Sequence, residues 1–166
     1  FLNPLIFPGY RNHAGISAPI EYAGYIKRFT HLRFVREREK IRARKIALGK
    51  APFYVLPLQL NTDAQIRHHS QFSDMKELIE HVLASFAQHA PTESHIVIKN
   101  HPLDIGWMNY QKIIAGCEKR FDLAGRVHYL EEGGWAMLGS NAQGVVTVNS
   151  TAGTVALEYG VPLKAL

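Results

Sequence analysis

A short run of small polar residues, Asn149-Ser-Thr-Ala-Gly153, has the composition of a phosphate-binding turn. It follows a predicted buried strand and leads directly into a predicted helix. The hydroxyls of Ser150 and Thr151, with the unsatisfied backbone N–H groups of a first helical turn, would bind an anion such as phosphate. The missing side chain of Gly153 would let a ligand approach the backbone. An ordinary helix N-cap is the alternative, because Ser and Thr are favoured there.

A histidine–proline pair, His101-Pro102, offers a second group for phosphate chemistry. Proline fixes the local backbone and cannot continue a strand, so the imidazole would be held where the preceding strand ends. There it could hydrogen-bond a phosphate oxygen or a ribose hydroxyl. Lys99, in the same segment, is a possible further contact. With nine histidines in the chain, a turn histidine beside a turn proline remains the alternative.

A single carboxylate, Asp63, lies between Gln59 and Gln65 in the segment that follows another predicted strand. A carboxylate at a sheet edge can act as a nucleophile or a general base. The amides of Gln59 and Gln65 are possible ligand contacts beside it. An Asx-type turn would place Asp63 there equally well.

Several familiar motifs are absent from the sequence. It has no GxGxxG after the first predicted strand and no GxxxxGK[ST], which argues against dinucleotide oxidoreductases and P-loop NTPases. It has no GxSxG, so a serine hydrolase is unsupported. The lone Cys117 excludes an internal disulfide and a cysteine zinc cluster, and no HExxH occurs. We therefore expect no metal.

The elements that position these residues follow from hydrophobic patterning. Short apolar runs predict strands at 53–58, 95–99, 126–130, 144–148 and 161–166. Helical spacing predicts helices over 75–86 (capped by Ser73), 110–121, 135–139 and 151–159. Strands that alternate with helices predict an α/β fold, a Rossmann-like parallel sheet flanked by helices with right-handed crossovers. Ligands bind beyond the carboxyl ends of such strands, so the three polar segments should share one edge.

Length and composition set the frame. The 166 residues, 46% hydrophobic and 20% charged, suit one α/β domain and exclude a wholly disordered chain. The longest apolar run, 51–58, has eight residues, against the roughly 20 of a membrane-spanning helix. We expect a piece of a longer protein that divides near residue 50. Residues 1–50 would form a connector with a basic helical segment, and residues 51–166 an incomplete Rossmann-like domain.

The charge is concentrated in one segment. Residues 27–50 carry ten basic and two acidic residues, a net charge of +8, so the rest of the +5 chain is at −3. Such a segment could contact anionic lipid headgroups or nucleic acid. Only Phe29 and Phe34 interleave it with aromatics, and no nucleic-acid motif occurs, so we expect no nucleic-acid partner. A solvated connecting helix is the alternative.

Four segments in this order resemble the bacterial capsule polysaccharide biosynthesis and export family. They are PLQLNTDAQI at 57–66, IKNHPLD at 98–104, GVVTVNSTAG at 144–153 and GVPLK at 160–164. The resemblance covers about residues 52–166. Members of this family are β-Kdo glycosyltransferases that build the lipid-linked Kdo linker of group 2 capsules. The first segment looks closer to the member that adds the first Kdo to a phosphatidylglycerol-type lipid.

The resemblance implies most of the C-terminal, nucleotide-sugar-binding half of a GT-B enzyme whose donor is CMP-Kdo, with no cofactor. His101 and Pro102 would contact the CMP phosphate, and Ser150 and Thr151, with Asn149 and Gly153 beside them, would add donors. Asp63 would be the nucleophile of a retaining double displacement. The second carboxylate is expected in the N-terminal half.

The resemblance also implies partners and a location. The acceptor would be a lipid of the inner membrane, and the protein would be cytoplasmic and peripheral to that membrane, beside other capsule synthesis and export proteins. Two other functional hypotheses remain open. One is another GT-B glycosyltransferase or a nucleotide-sugar epimerase. Another is a non-catalytic module that binds anionic lipid or polymer, in which the His-Pro and Asn-Ser-Thr elements are only turns.

Overall fold

The computed structural model describes residues 18–61, 63, 66 and 68–166, in which helices and strands alternate. In chain order the elements are α1 (Ala18–Ala47), β1 (Phe53–Pro57), α2 (Met75–His89), β2 (His95–Lys99), α3 (Tyr110–Arg120), β3 (Val127–Leu130), α4 (Trp135–Asn141), β4 (Gly144–Thr147), α5 (Thr151–Glu158) and β5 (Leu163–Ala165). None of the helices in these ranges is long and apolar enough to span a bilayer.

The five strands form one sheet in the order β3-β2-β1-β4-β5, and every neighbouring pair is parallel. This confirms the predicted α/β fold. The chain moves outward from β1 to β3, then returns to place β4 on the other side of β1. The strand order therefore reverses between β1 and β4, and ligands of such sheets bind at the carboxyl ends of the two strands that flank the reversal.

Alternate strand residues face two helical layers. Leu56 and Ile98 belong to a core with α2 and α3, whereas Val55, Val97 and Val145 belong to a core with α1, α4 and α5. Burial on both faces explains why the strands read as continuous apolar runs. A fully buried aliphatic side chain contributes about 1.5–3 kcal/mol relative to an exposed one, so these two cores hold the strand ends in place.

Helix α2 shows the predicted apolar face. Its buried side chains are Met75, Leu78, Ile79, Val82, Leu83 and Phe86. The predicted cap, Ser73, was wrong by one residue: the Asp74 side chain accepts the N–H of Glu77 at 2.8 Å. Ser73 instead donates its N–H and its hydroxyl to the Glu77 carboxylate, each at 2.7 Å. Asp74 and Ser73 thus both contribute hydrogen bonds that cap the first turn of α2.

Three of the strands end one residue earlier than the apolar runs that predicted them. β1, β4 and β5 lose the last predicted residue, β3 lacks Arg126, and β5 begins only at Leu163. Pro162 has no N–H to give to a ladder, although its carbonyl accepts the N–H of Val145 at 2.9 Å. The patterning therefore predicts where a strand lies better than where its pairing stops.

Helix α1 is longer than its weak periodicity suggested, at 30 residues. Its inner face buries few side chains: Leu32, the small Ala43 and Ala47, and the charged Arg28. Because this face includes a buried arginine and two small alanines, while the outer face exposes large apolar residues, the helix shows little hydrophobic contrast and its periodicity is weak. The C-terminal part of α1 packs on the same core as the sheet. The division near residue 50 stays a prediction.

Candidate functional site

The predicted site residues that the structure describes lie at or beyond the carboxyl ends of β1, β2 and β4, as the parallel sheet requires. Gln59 follows β1 and Asn149 follows β4, and the Gln59 Nε2 donates to Asn149 Oδ1 at 2.9 Å. This hydrogen bond crosses the point where the strand order reverses. Gln65 lies outside the described residues.

The side-chain oxygen of Gln59, Oε1, is a buried hydrogen-bond acceptor without a partner among the described residues. The residue is only 6% exposed, and its Oε1 has no hydrogen-bond partner among the described residues. An unpaired buried acceptor costs about 1–3 kcal/mol. A donor on a bound ligand would remove that penalty, so Gln59 is a strong candidate for contact with a polar ligand.

Ser150 is the N-cap of α5. Its hydroxyl oxygen accepts the N–H of Ala152 at 3.2 Å, and its carbonyl accepts the N–H of Gly153 at 2.9 Å. The ordinary N-cap is therefore present, and the Ser150 O–H remains a donor. Asn149 and Thr151 are exposed beside it. The positive end of the α5 dipole thus faces the same edge as Gln59.

Gly153 faces the sheet. A Cβ built there would lie 3.1 Å from Leu163 Cδ2 and 3.2 Å from Thr147 Cγ2. The close packing of α5 on β4 and β5 accounts for the glycine, and the Gly153 N–H is already bonded to Ser150. The structure therefore gives Gly153 a packing role under the site.

The hydrogen bonds of His101 settle the proton arrangement of its neutral ring. The Leu103 backbone N–H donates to His101 Nδ1 at 3.1 Å, so the neutral ring carries its proton on Nε2. Burial lowers the pKa of His101, the Asp104 and Asp63 carboxylates oppose that shift, and Lys99 adds to it. His101 is half-buried and neutral at pH 7, and its Nε2–H is a donor suited to a phosphate oxygen.

Two residues that were not among the predicted site residues, Asn100 and Asp104, support the His101-Pro102 turn. Asn100 accepts the His101 N–H on its Oδ1 at 2.8 Å and donates from its Nδ2 to Asp104 Oδ2 at 3.1 Å. Asp104 Oδ2 also accepts the Gly106 N–H at 3.1 Å. Both side chains are buried. Their polarity so close to His101 was the available signal, but only the fold shows that they pair.

Lys99 is a buried cation at the end of β2. It is 7% exposed, and its Nζ donates to the Asn100 carbonyl at 3.1 Å. Burial lowers the Lys99 pKa most, Arg28 lowers it further, and the carboxylates of Glu132 and Glu39 oppose the shift. These neighbours place Lys99 on the α1 side of the sheet edge.

Asp63 lies in a turn after β1. Its N–H donates to the Leu60 carbonyl at 2.9 Å, and its own carbonyl accepts the Ile66 N–H at 3.1 Å. The side chain is half-buried, and its charge acts on His101. Asp63 and His101 therefore belong to the same edge, as the sequence predicted.

The end of β3 is fixed to α1, a link that the sequence did not reveal. Arg28 Nη1 pairs with the Glu131 carboxylate, and the Glu131 backbone N–H donates to Glu39 Oε2 at 2.8 Å. Arg42 donates to the Tyr129 carbonyl at 3.0 Å. Glu131 is thus engaged in an internal ion pair.

Two further observations bound the site. Among the described residues, no group of three or more His, Cys, Asp or Glu side chains is placed to hold a metal ion. A cavity of about 270 Å³ lies elsewhere, between α2 and the sheet, with Tyr54, His89 and Val146 in its lining. The candidate site is an open edge of the sheet, separate from that cavity.

Comparison with known proteins finds similarity to proteins of capsule polysaccharide biosynthesis, modification and export. The model of the family described as capsule polysaccharide biosynthesis protein matches residues 1–166. The chain is 34% identical over 161 residues to the capsule polysaccharide export protein KpsS of Escherichia coli, covering 96% of this chain and 41% of the relative. It is 34% identical over 173 residues to the capsule polysaccharide modification protein LipB of Neisseria meningitidis serogroup B, covering 100% of this chain and 40% of the relative.

One solved structure is also similar, that of Thermosulfurimonas dismutans KpsC, a β-Kdo 2,7 transferase. The TM-score is 0.45 at 22% identity, and the match covers 80% of this chain and 45% of that chain. The chain spans about two fifths of the length of the curated relatives it matches.

Proposed function

We propose that this chain, which belongs to the capsule polysaccharide biosynthesis protein family, binds the nucleotide sugar of a glycosyltransferase that moves Kdo from CMP-Kdo to a phosphatidylglycerol-type lipid. It would supply most of the C-terminal half of a GT-B enzyme. The observation that carries the proposal is one polar edge. There the Nε2–H of His101, the unpartnered Oε1 of Gln59 and the Ser150-capped start of α5 lie beyond neighbouring parallel strands.

The proposed role of this edge is to hold the leaving group. As the bond between Kdo and the phosphate breaks, negative charge grows on the CMP phosphate. Preorganised donors aimed at that charge are the largest single contribution in many enzymes. His101 would donate from Nε2, and Ser150 with the first turn of α5 would add a hydroxyl and a helix dipole. Gln59 Oε1 would accept from a nucleotide donor such as a ribose hydroxyl.

Asp63 is the proposed nucleophile. Its carboxylate oxygen would bond to the anomeric carbon of Kdo as the C–O bond to phosphate breaks, and CMP would leave with the electron pair. The acceptor hydroxyl would then attack the same carbon, lose its proton to a base and release Asp63. This follows the double displacement of retaining glycosidases. We place the base in the N-terminal half of the full-length protein.

The experiment that tests the proposal is a calorimetric titration of CMP into the chain, with UMP as the competing nucleotide. His101→Ala removes the proposed phosphate donor, and His89→Ala is the matched control because His89 is exposed on α2, away from the edge. A hydrogen bond to a charged group is worth about 1.5–3 kcal/mol, so His101→Ala should weaken CMP binding about tenfold or more. His89→Ala should leave it unchanged.

The same titration separates the alternatives. Tighter binding of UMP than of CMP would favour a UDP-sugar enzyme or an epimerase. CMP binding that is equal in both variants would remove His101 from the site. A folded chain that binds neither nucleotide, together with a full-length protein that also binds neither, would overturn the proposal.

A further inference from the structure

The outer face of α1, which points away from the sheet, is apolar along its centre. Phe34, Ile41 and Leu48 are 76%, 68% and 64% exposed. Phe34 and Ile41 are seven residues apart on the helix, so at 100° per residue they lie within about 20° of each other. Leu48 comes seven residues later, in the turn directly after α1, where its N–H donates to the Arg44 carbonyl at 3.0 Å. Buried Leu32 and Ala43 mark the opposite, inner face. Three large apolar side chains in one exposed row are unusual on a helix that is otherwise rich in charge.

Cations flank this row on both sides. By the same helical geometry, one side carries Lys27, Arg38 and Lys45, and the other carries Arg33 and Arg44. Among the described residues, none of these five forms an ion pair, whereas four other cations of α1 do: Arg28, Arg36, Lys40 and Arg42. Glu37 is the acidic residue of this face, and it is paired with Lys40 at 2.9 Å.

The inner face of the same helix is fixed to the candidate site. Arg28 pairs with Glu131 and Arg42 donates to the Tyr129 carbonyl, at and just beyond the carboxyl end of β3. Nearer the start of α1, a Cβ on Gly24 would lie 3.0 Å from Ile105 Cβ, in the loop that follows His101. Whatever the outer face binds is therefore held at a set orientation to the polar edge.

We propose that this face, defined by Lys27, Arg33, Phe34, Arg38, Ile41, Arg44, Lys45 and Leu48, binds the surface of an anionic phospholipid bilayer with α1 in the plane of the membrane. Apolar side chains enter the headgroup boundary, and flanking Lys and Arg extend back to the headgroups. Each cation near an anionic surface contributes about 1 kcal/mol. A nucleic acid would use the cations but would leave the central apolar row exposed.

This inference rests on the proposed function in one respect. If the acceptor is a lipid, the enzyme meets it at the bilayer surface to which this face binds. Because α1 is attached to Glu131, membrane binding through the outer face would also hold the polar edge at a fixed orientation to the bilayer. Binding to lipid itself needs no nucleotide. The two proposals can therefore fail separately.

The test is sedimentation of the full chain with vesicles of phosphatidylcholine alone or mixed with phosphatidylglycerol. The chain should bind the mixed vesicles and release them at high salt. Lys27→Ala, Arg38→Ala and Lys45→Ala together should lower the partition coefficient about a hundredfold. The matched control, Lys112→Ala, Lys119→Ala and Lys164→Ala, removes the same charge from exposed positions on α3 and β5. It should change binding less than about threefold.

A second variant tests the apolar row. Phe34→Ser with Ile41→Ser keeps every charge and alters only exposed side chains, and it should weaken vesicle binding at least tenfold. Equal losses in the face and control variants would overturn the proposal, because net charge alone would then explain binding. Binding to duplex DNA without binding to mixed vesicles would overturn it too. Calorimetry with CMP on the same variants should show unchanged CMP affinity. If the wild-type chain binds mixed vesicles but does not bind CMP, the proposed function fails and the membrane proposal stands.

Discussion

Gln59 and Asn149 are hydrogen-bonded side chain to side chain at 2.9 Å, although they are 90 residues apart in the sequence. They follow the two strands between which the order of the sheet reverses. The bond uses the Gln59 amide as a donor and leaves its Oε1 buried and unpartnered among the described residues. Gln59 thus links the segments that follow β1 and β4 through its amide N–H. Its Oε1 remains as an acceptor for a ligand.

Replacing Gln59 by methionine removes both functions at nearly constant volume. We expect the Gln59→Met protein to lose about tenfold in CMP affinity while its free energy of unfolding changes by about 1 kcal/mol or less, because the unpaired acceptor disappears with the hydrogen bond. Calorimetry and chemical denaturation measure the two quantities. Gln143→Met, on an exposed residue, is the control. Unchanged CMP affinity in Gln59→Met would exclude Gln59 from the ligand site.

Gly153 should tolerate no side chain. Gly153→Ala places a Cβ against Thr147, whose β-branched side chain is stiff, and against Leu163. We expect a loss of about 1–3 kcal/mol in the free energy of unfolding. Gly116→Ala is a matched control on α3, where a Cβ meets nothing within 4 Å, and it should stabilise by about 0.5–1 kcal/mol. If the two variants had the same stability, the close packing of α5 on the sheet would be contradicted.

The Arg28–Glu131 pair is mostly buried, with side-chain exposures of 6% and 16%. Removing one partner of such a pair leaves an uncompensated charge, so Arg28→Met should cost about 3 kcal/mol of unfolding free energy. Arg36→Met breaks an exposed contact with Glu132 at 3.7 Å and should cost less than about 1 kcal/mol. Denaturant titration of both variants checks the difference. Similar small losses would mean that Arg28 does not anchor α1.

His95 and His128 share a hydrogen bond of 2.7 Å between Nδ1 and Nε2 at the start of β2 and β3. Burial, with smaller contributions from His95 and Arg42, lowers the pKa of His128 to about 4. An unfolded histidine titrates near 6.5, so below that pH the unfolded chain binds more protons than the folded one. His128 should therefore reduce stability as the pH falls from about 6.5 to about 4, with no further loss below that.

The check is the unfolding free energy of the wild-type and His128→Gln proteins from pH 7 to pH 4. The lowered pKa of His101 acts in the same direction, so the difference between the two proteins isolates His128. The wild-type curve should fall more steeply. Parallel curves would show that His128 titrates normally in the folded chain.

Much of the fold could be predicted because both faces of the sheet are buried. Short apolar runs and the α2 pattern of Met75, Leu78 and Ile79 reflect that burial directly. The full length of α1 could not be predicted, because the ion-pair partner that the described residues give buried Arg28 is Glu131, 103 residues away in the sequence. A buried cation in a basic run looks like any other charge until its partner is known.

The candidate site was predictable in outline and not in detail. Parallel strands bring Gln59, His101 and Asn149 to one edge, which follows from topology alone. The tautomer of His101 depends on the Leu103 N–H, and the rigidity of its turn depends on the pairing of Asn100 with Asp104. These contacts are decided by backbone geometry that residue types do not encode. The roles of Asp63 and Ser150 remain predictions.

Binding of CMP at the polar edge through His101 can be followed by nitrogen-15 NMR of the histidine rings during a CMP titration. The free chain should show His101 as the Nε2–H tautomer, and CMP should shift that signal together with the Gln59 side-chain amide. The signals of His81 and His89, which line the cavity under α2, should stay in place. Shifts at His81 and His89 with none at His101 would show that CMP binds in the cavity and not at the polar edge.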